Sequence, residues 1–121
     1  IQNHISIITA EIASIGCNEK NTPVFEKNNV KWIEKLLMKL EKVIKTKKCF
    51  YYPGQNELSA YIDITRTVAR RAERSVVGLY HEKKIKNDNM LKYLNCISDV
   101  LFLMVVKEEK KKRRKAKTKK K

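Results

Sequence analysis

Apolar residues recur at intervals of three and four in four separate segments of this chain, and nowhere alternate with polar residues over the length of a strand. The first segment, Ile1–Ile15, sets Ile1, Ile5, Ile8, Ile12 and Ile15 on one stripe, with Gly16 placed as a stop. The second runs from Lys27 or Asn28 to Lys45. Its stripe is Val30, Ile33, Leu37, Leu40 and Ile44, flanked by Trp32 and Leu36, and its wet face mixes Glu34 and Glu41 with lysines. The third runs from Glu57 to about Glu82 behind Asn56, a natural N-cap, with Glu57 in the first turn. At 100° per residue, Leu58, Tyr61, Val68, Ala69, Ala72, Val76 and Leu79 gather on one side as its core face. Asp63, Arg66, Arg70, Glu73 and Arg74 gather nearly opposite, with Arg71 off that stripe. The fourth runs from Asn89 to about Glu109, with Leu94, Ile97, Leu101, Met104 and Val105 core-like and Asn95, Ser98 and Asp99 set within the apolar run.

Amphipathic helices joined by short connections predict an all-α fold, an antiparallel bundle of four or five helices in a ferritin-like up-down arrangement. Three glycines and two prolines are too few for a turn-rich sandwich or barrel. Residues 1–108 are read as the bundle and 109–121 as a basic tail. Loops are expected over Cys17–Glu26 and around Pro53-Gly54, with Phe50–Tyr52 a short extended anchor. The uncapped first helix suggests a chain that starts within a domain. Cys17, Cys49 and Cys96 are too widely spaced for a disulfide framework or a zinc knuckle, and read as reduced thiols of a cytoplasmic protein.

The charge is unevenly placed. Lys107–Lys121 holds 11 basic and 2 acidic residues, +9 of the chain's +15. Such a run is read as a solvated, frayed end, with RNA or an anionic surface as the functional alternative. No secretory or membrane segment is expected, because the longest apolar run, Val100–Val106, is far short of the roughly 20 residues that span a bilayer.

Three places hold polar chemistry. On the third helix, Arg66 and Arg70 are one turn apart and Glu73 follows, so guanidinium forks at fixed separation can grip a polyphosphate. The plain alternative is a solvated ladder of Asp63–Arg66, Arg70–Glu73 and Arg70–Arg74 neighbours. The loop Phe50–Asn56 can set a ring over a flat ligand, or plug the bundle end. Asn95 and Asp99 must point at a partner helix or a ligand. Phosphate-loop and dinucleotide motifs are missing, and His4 and His81 are too far apart for a metal cluster, so no metal site is expected. With no activated protein nucleophile in the pattern, the reactive group of any reaction here comes from a ligand.

The run from Phe50 through Pro53-Gly54, Ser59-Ala60, Arg66-Thr67 and Arg70-Arg71-Ala72-Glu73-Arg74 resembles the signature of the PduO-type ATP:cob(I)alamin adenosyltransferases. Three further pieces fit that family in the same order: Ile1-Gln2-Asn3 through Ala13, Val30-Lys31-Trp32-Ile33-Glu34, and Leu91 through Leu94-Asn95-Cys96-Ile97-Ser98-Asp99 to Phe102. The resemblance implies a homotrimer binding ATP and the corrinoid between subunits. It implies a transferase in which cob(I)alamin takes the 5′-deoxyadenosyl group of ATP, with Mg²⁺ as cofactor and triphosphate released. By position, it implies that Arg66 makes an intersubunit salt bridge shaping the ATP site and that Arg70 contacts the phosphates. Glu73 and Asn95 would hold the nucleotide, with Arg71 and Arg74 as further matches. Phe50 would lie beneath the corrin and keep the lower axial ligand off. A reductase or a cobalamin-dependent acceptor enzyme is an implied partner; a membrane or nucleic acid is not.

The sequence departs from that pattern at Gln55, where the family has a second glycine, and at Asp63, where it has a histidine. The family's phosphate loop and its Asp-Glu-Leu-Asn helix, whose aspartate pairs with the arginine matching Arg66, are absent from these 121 residues and are expected to precede them. The competing reading is a non-catalytic basic helical bundle that binds corrinoid or RNA.

Overall fold

The structure, a computed structural model, describes residues 1–15, 24–44 and 54–119, with 111–119 described by backbone alone. The described residues form four helices and no strand: α1 (Gln2–Ala13), α2 (Lys27–Val43), α3 (Glu57–His81) and α4 (Asn89–Lys119). This is the all-helical bundle that the periodicity predicts. α4 is its spine, packed most extensively on α3 and next on α2.

Local chemistry sets the ends. Asn56 caps α3: the Ser59 N–H donates to Asn56 Oδ1 at 2.7 Å, and the Asn56 N–H donates back to Ser59 Oγ at 3.4 Å. Gly54 just before it has φ of 95°, a value that favours glycine. α3 ends through Lys83, which takes the left-handed conformation at φ 61° while the Lys84 N–H reaches back to the Leu79 carbonyl at 3.0 Å.

One core cluster joins all four helices, Phe25 before α2 and Ile85 between α3 and α4. At its centre Tyr93 and Phe25 are fully buried, with ring centroids 5.0 Å apart, surrounded by Ile8, Ile33, Met90 and Ile97. A smaller cluster of Ile44, Leu103 and Val106 continues it along α4. The Tyr93 hydroxyl shares a 2.8 Å hydrogen bond with His4 Nδ1. Glu11 accepts from the Phe25 N–H at 3.0 Å and from Asn87 Nδ2 at 3.2 Å, and Asn87 also donates to the Phe25 carbonyl at 2.9 Å. These bonds tie α1, the segment before α2 and the α3–α4 connector into one end of the bundle.

The α2 stripe lies inside, with Val30, Ile33 and Ile44 buried. On α1 only Ile8 is buried, while Ile1, Ile5 and Ile15 are exposed. Met104 is also exposed, and Val100, Leu103 and Val106 take the inner positions of α4 beside Leu94, Ile97 and Val105.

The largest correction concerns α3. Its expected core face is mostly outside: Leu58 is 53% exposed, Tyr61 61% and Val68 49%, and Ala72 is exposed too. Ile64, beside them, is 58% exposed. The face turned inward carries Ser59, Asp63, Arg66, Ala69, Glu73 and Val76. The helix thus turns Asp63, Arg66 and Glu73 partly inward, with Ala69, Val76 and Leu79 packed on the core and Leu58, Tyr61, Ile64 and Val68 on the outside.

α4 corrects one more expectation. It continues as helix to Lys119 instead of fraying near Glu109. Lysine, arginine and alanine are good helix formers, and cations near a helix C-terminus complement its dipole. Its segment Asn89–Lys110 is also 22 residues long and apolar enough to cross a membrane by length and composition. Tyr93, Leu94, Ile97, Val100, Leu103, Val105 and Val106 within it are buried, as in a core helix.

Candidate functional site

With Asp63, Arg66 and Glu73 turned partly inward, α3 and α4 flank a polar cleft of about 270 Å³. Arg66, Arg70 and Glu73 line it from α3, and Asn95, Ser98, Asp99 and Phe102 from α4. The α4 set follows i, i+3, i+4, i+7 spacing, so one face of that helix supplies all four. The structure therefore brings together Arg66, Arg70, Glu73, Asn95 and Asp99, five residues singled out from the sequence. Arg71 and Arg74 are exposed on α3 and do not line the cleft. Phe50 lies outside the described residues, as do Cys17 and Cys49.

The ladder expected of a solvated stripe forms in one rung only. Arg66 Nε donates to Asp63 Oδ1 at 3.1 Å, and both side chains are about three-quarters buried. Arg70 and Glu73 form no ion pair among the described residues. Two guanidinium groups, two carboxylates, an amide and a hydroxyl thus share one small space, with most of their bonding capacity unspent.

Ser98 shows this most sharply. Three helical hydroxyls bond back to the carbonyl one turn earlier, Thr9 to Ile5 at 2.9 Å, Thr65 to Tyr61 at 2.9 Å and Ser75 to Arg71 at 3.2 Å. The Ser98 Oγ is buried with no hydrogen-bond partner among the described residues. Leaving a buried hydroxyl unanswered costs about 1–3 kcal/mol. Ser98 and Phe102 are site residues that sequence reasoning did not assign; their spacing from Asn95 on α4 is the signal that finds them.

The cleft holds no activated protein nucleophile among the described residues. The Cys96 thiol beside it is pushed up by burial, and the Glu34 and Asp99 carboxylates add to that shift, so it stays protonated. No group of three or more His, Cys, Asp or Glu side chains gathers to hold a metal among the described residues. The arrangement suits binding and orienting an anionic ligand, with arginine forks for phosphate oxygens and an amide and hydroxyl for a polar edge.

Comparison with known proteins agrees with that chemistry. A family model described as cobalamin adenosyltransferase matches residues 1–108. The corrinoid adenosyltransferase of Bacillus subtilis (strain 168) is 42% identical over 55 residues, which is 46% of this chain and 28% of that protein. The corrinoid adenosyltransferase of Mycobacterium leprae (strain TN) is 42% identical over 60 residues, 49% of this chain and 31% of that protein. The corrinoid adenosyltransferase PduO of Citrobacter freundii is 35% identical over 57 residues, 47% of this chain and 17% of that protein. The chain thus covers less than a third of the length of each of these relatives.

Proposed function

The chain belongs to the cobalamin adenosyltransferase family, and from that membership we propose that it transfers the 5′-deoxyadenosyl group of ATP to cob(I)alamin. A Co–C bond forms at C5′, the C5′–O bond breaks, and its electron pair leaves with triphosphate. Adenosylcobalamin is the product. The observation that carries this reading is the convergence of Arg66, Arg70, Glu73 and Asn95 on one cleft, with Arg70 and Glu73 left without ion pairs among the described residues.

The roles follow from the chemistry of each group. Arg70 takes phosphate oxygens through its guanidinium fork and stabilises the charge that grows on the departing triphosphate. Arg66 is proposed to make an intersubunit salt bridge that shapes the ATP site. Asn95 offers an amide donor and acceptor to the nucleotide, and Glu73 accepts from a hydroxyl or amino group of it. Mg²⁺ is usually held by one or two carboxylates together with substrate phosphates. Glu73 and Asp99 are the two carboxylates lining the cleft, a donor set that fits an ion arriving on the triphosphate. Phe50 is proposed to lie beneath the corrin and exclude a lower axial ligand.

The site is proposed to be completed between subunits of a homotrimer. The cleft, about 270 Å³, is smaller than the roughly 300–1,000 Å³ of ordinary small-molecule sites. The outward stripe of Leu58, Tyr61 and Val68 supplies an apolar surface for another copy. We read the protein as a cytoplasmic enzyme whose corrinoid is supplied by a reductase and whose product passes to a cobalamin-dependent enzyme.

The test is anaerobic. Protein, ATP, Mg²⁺ and chemically reduced cob(I)alamin are mixed, and the Co(I) absorption band and triphosphate are followed together. Decay of the band with stoichiometric triphosphate is expected. A stable band with bound nucleotide would leave a binding protein and end the enzymatic reading.

A further inference from the structure

We propose that the outer face of α2 and the basic extension of α4 form one surface that binds a single strand of nucleic acid by its phosphates, whatever its sequence. The inference goes beyond the adenosyl transfer proposed above and does not depend on it.

Five lysines of α2, Lys27, Lys31, Lys35, Lys39 and Lys42, fall within about 120° of helix surface. They lie opposite Val30, Ile33, Leu37 and Leu40, which pack on the core, and all five are exposed. None forms an ion pair among the described residues, and none lines the cleft. The acids of this helix, Glu34 and Glu41, sit at one edge of the stripe.

α2 and α4 run in the same direction. Phe25, just before α2, packs on Tyr93 near the start of α4, and Ile44, just after α2, packs with Leu103 and Val106. The lysine face therefore leads toward the end where α4 leaves the bundle. From there α4 continues as helix to Lys119. Lys110–Lys115 are six consecutive basic positions, more than one full turn, so basic register positions go all the way round the extension. Each of the two tracts is roughly 20 Å long. The family match ends at residue 108, so nearly all of the extension lies outside the matched domain.

Shape and charge select the partner. A helix that lies on a bilayer sets an apolar face beside its basic one, and Ala116 is the only apolar residue in Lys107–Lys121. A duplex is stiff over about 150 base pairs and does not turn from the outside of α2 onto the extension. A single strand follows both. Lysine outnumbers arginine on each tract, and it meets phosphate as a point charge, a contact that carries no sequence information.

The test titrates the full chain into a fluorescent oligo(U) of about 20 nucleotides and reads anisotropy between about 50 and 200 mM salt. Affinity is expected to fall about 10³-fold over that range, a slope near −5, as for about seven phosphates on a single strand. Lys31→Gln, Lys35→Gln and Lys39→Gln together should flatten the slope by about 2 and weaken binding about 10-fold. Removing residues 111–121 should weaken it about 100-fold. Both variants should keep the parent's melting temperature and cob(I)alamin turnover. A triple variant that binds like the parent would remove α2 from the surface and overturn the proposal. Capture by vesicles of phosphatidylserine and phosphatidylcholine, without binding of oligo(U), would make the surface a membrane contact and overturn it too. A parent that binds oligo(U) as expected but turns over no cob(I)alamin would end the enzymatic reading and leave this one standing.

Discussion

The end of the bundle around Tyr93 and the cleft between α3 and α4 use similar polar groups to opposite ends. Around Tyr93 the principal polar side chains have partners. The phenol meets His4, and Glu11 and Asn87 share four hydrogen bonds with each other and with the Phe25 backbone. In the cleft, Ser98 has no partner and Arg70 and Glu73 have no ion pair among the described residues. The first arrangement is complete without a ligand, so its polar groups serve the fold. The second is incomplete, so the fold bears its cost and a ligand removes it.

The strongest way to break this contrast is at Tyr93. Replacing it with alanine should cost about 3–5 kcal/mol, as for other large buried aromatics, read as an earlier urea midpoint. Tyr93→Phe removes only the bond to His4 and should cost about 1 kcal/mol. Equal losses for the two would mean that the hydrogen bond, not the packing, holds that end. In the cleft the order reverses. Arg70→Ala should lower turnover about 10²–10³-fold while the melting temperature stays close to that of the parent. A large drop in melting temperature would make Arg70 structural and dissolve the comparison.

Glu109 sharpens it further. This side chain is 1% exposed, and neither carboxylate oxygen has a hydrogen-bond partner among the described residues. It sits outside the cleft, so no nucleotide should answer it. Glu109→Met should therefore stabilise the chain by about 1–3 kcal/mol, with KM for ATP unchanged. Loss of stability would show that the carboxylate has a partner when the protein is at work.

The smallest effect is the pH dependence of the satisfied end. Burial lowers the His4 pKa. The folded state therefore favours neutral imidazole and binds fewer protons than the unfolded chain. This contribution is fully present above the ordinary histidine value of about 6.5 and is lost as pH falls through the lowered value. The Tyr93 phenol, pushed up to about 12 by burial, stays protonated throughout. Urea midpoints between pH 8 and about pH 5 should fall with acid in the parent, and fall less in His4→Gln.

Helix number, type and most boundaries were legible because period 3.6 and the Asn56 cap are local signals. The cleft residues were half legible. Arg66, Arg70, Glu73, Asn95 and Asp99 stood out through chemistry and resemblance; Ser98 was noted only as a polar position in an apolar run, and Phe102 looks like an ordinary helix position until α3 faces it. The facing of α3 was misread for a physical reason. Amphipathic patterning assigns the apolar side of a helix to the core, but tertiary contact decides otherwise when a helix serves two surfaces. Leu58, Tyr61 and Val68 were therefore placed inside, and the inward Asp63–Arg66 pair was read as wet.

The continuation of α4 to Lys119 has a mechanical consequence. At 1.5 Å per residue its 31 residues reach roughly 46 Å, against roughly 37 Å for the 25 of α3. Along its far end Lys110 and Arg114, Lys111 and Lys115, Arg113 and Lys117, and Lys115 and Lys119 are like charges one turn apart. Each such pair weakens a helix by a few tenths of a kcal/mol in dilute salt, and counter-ions screen it. The rod that organises the core is therefore a polyelectrolyte at its tip, with a stiffness set by the ionic strength around it.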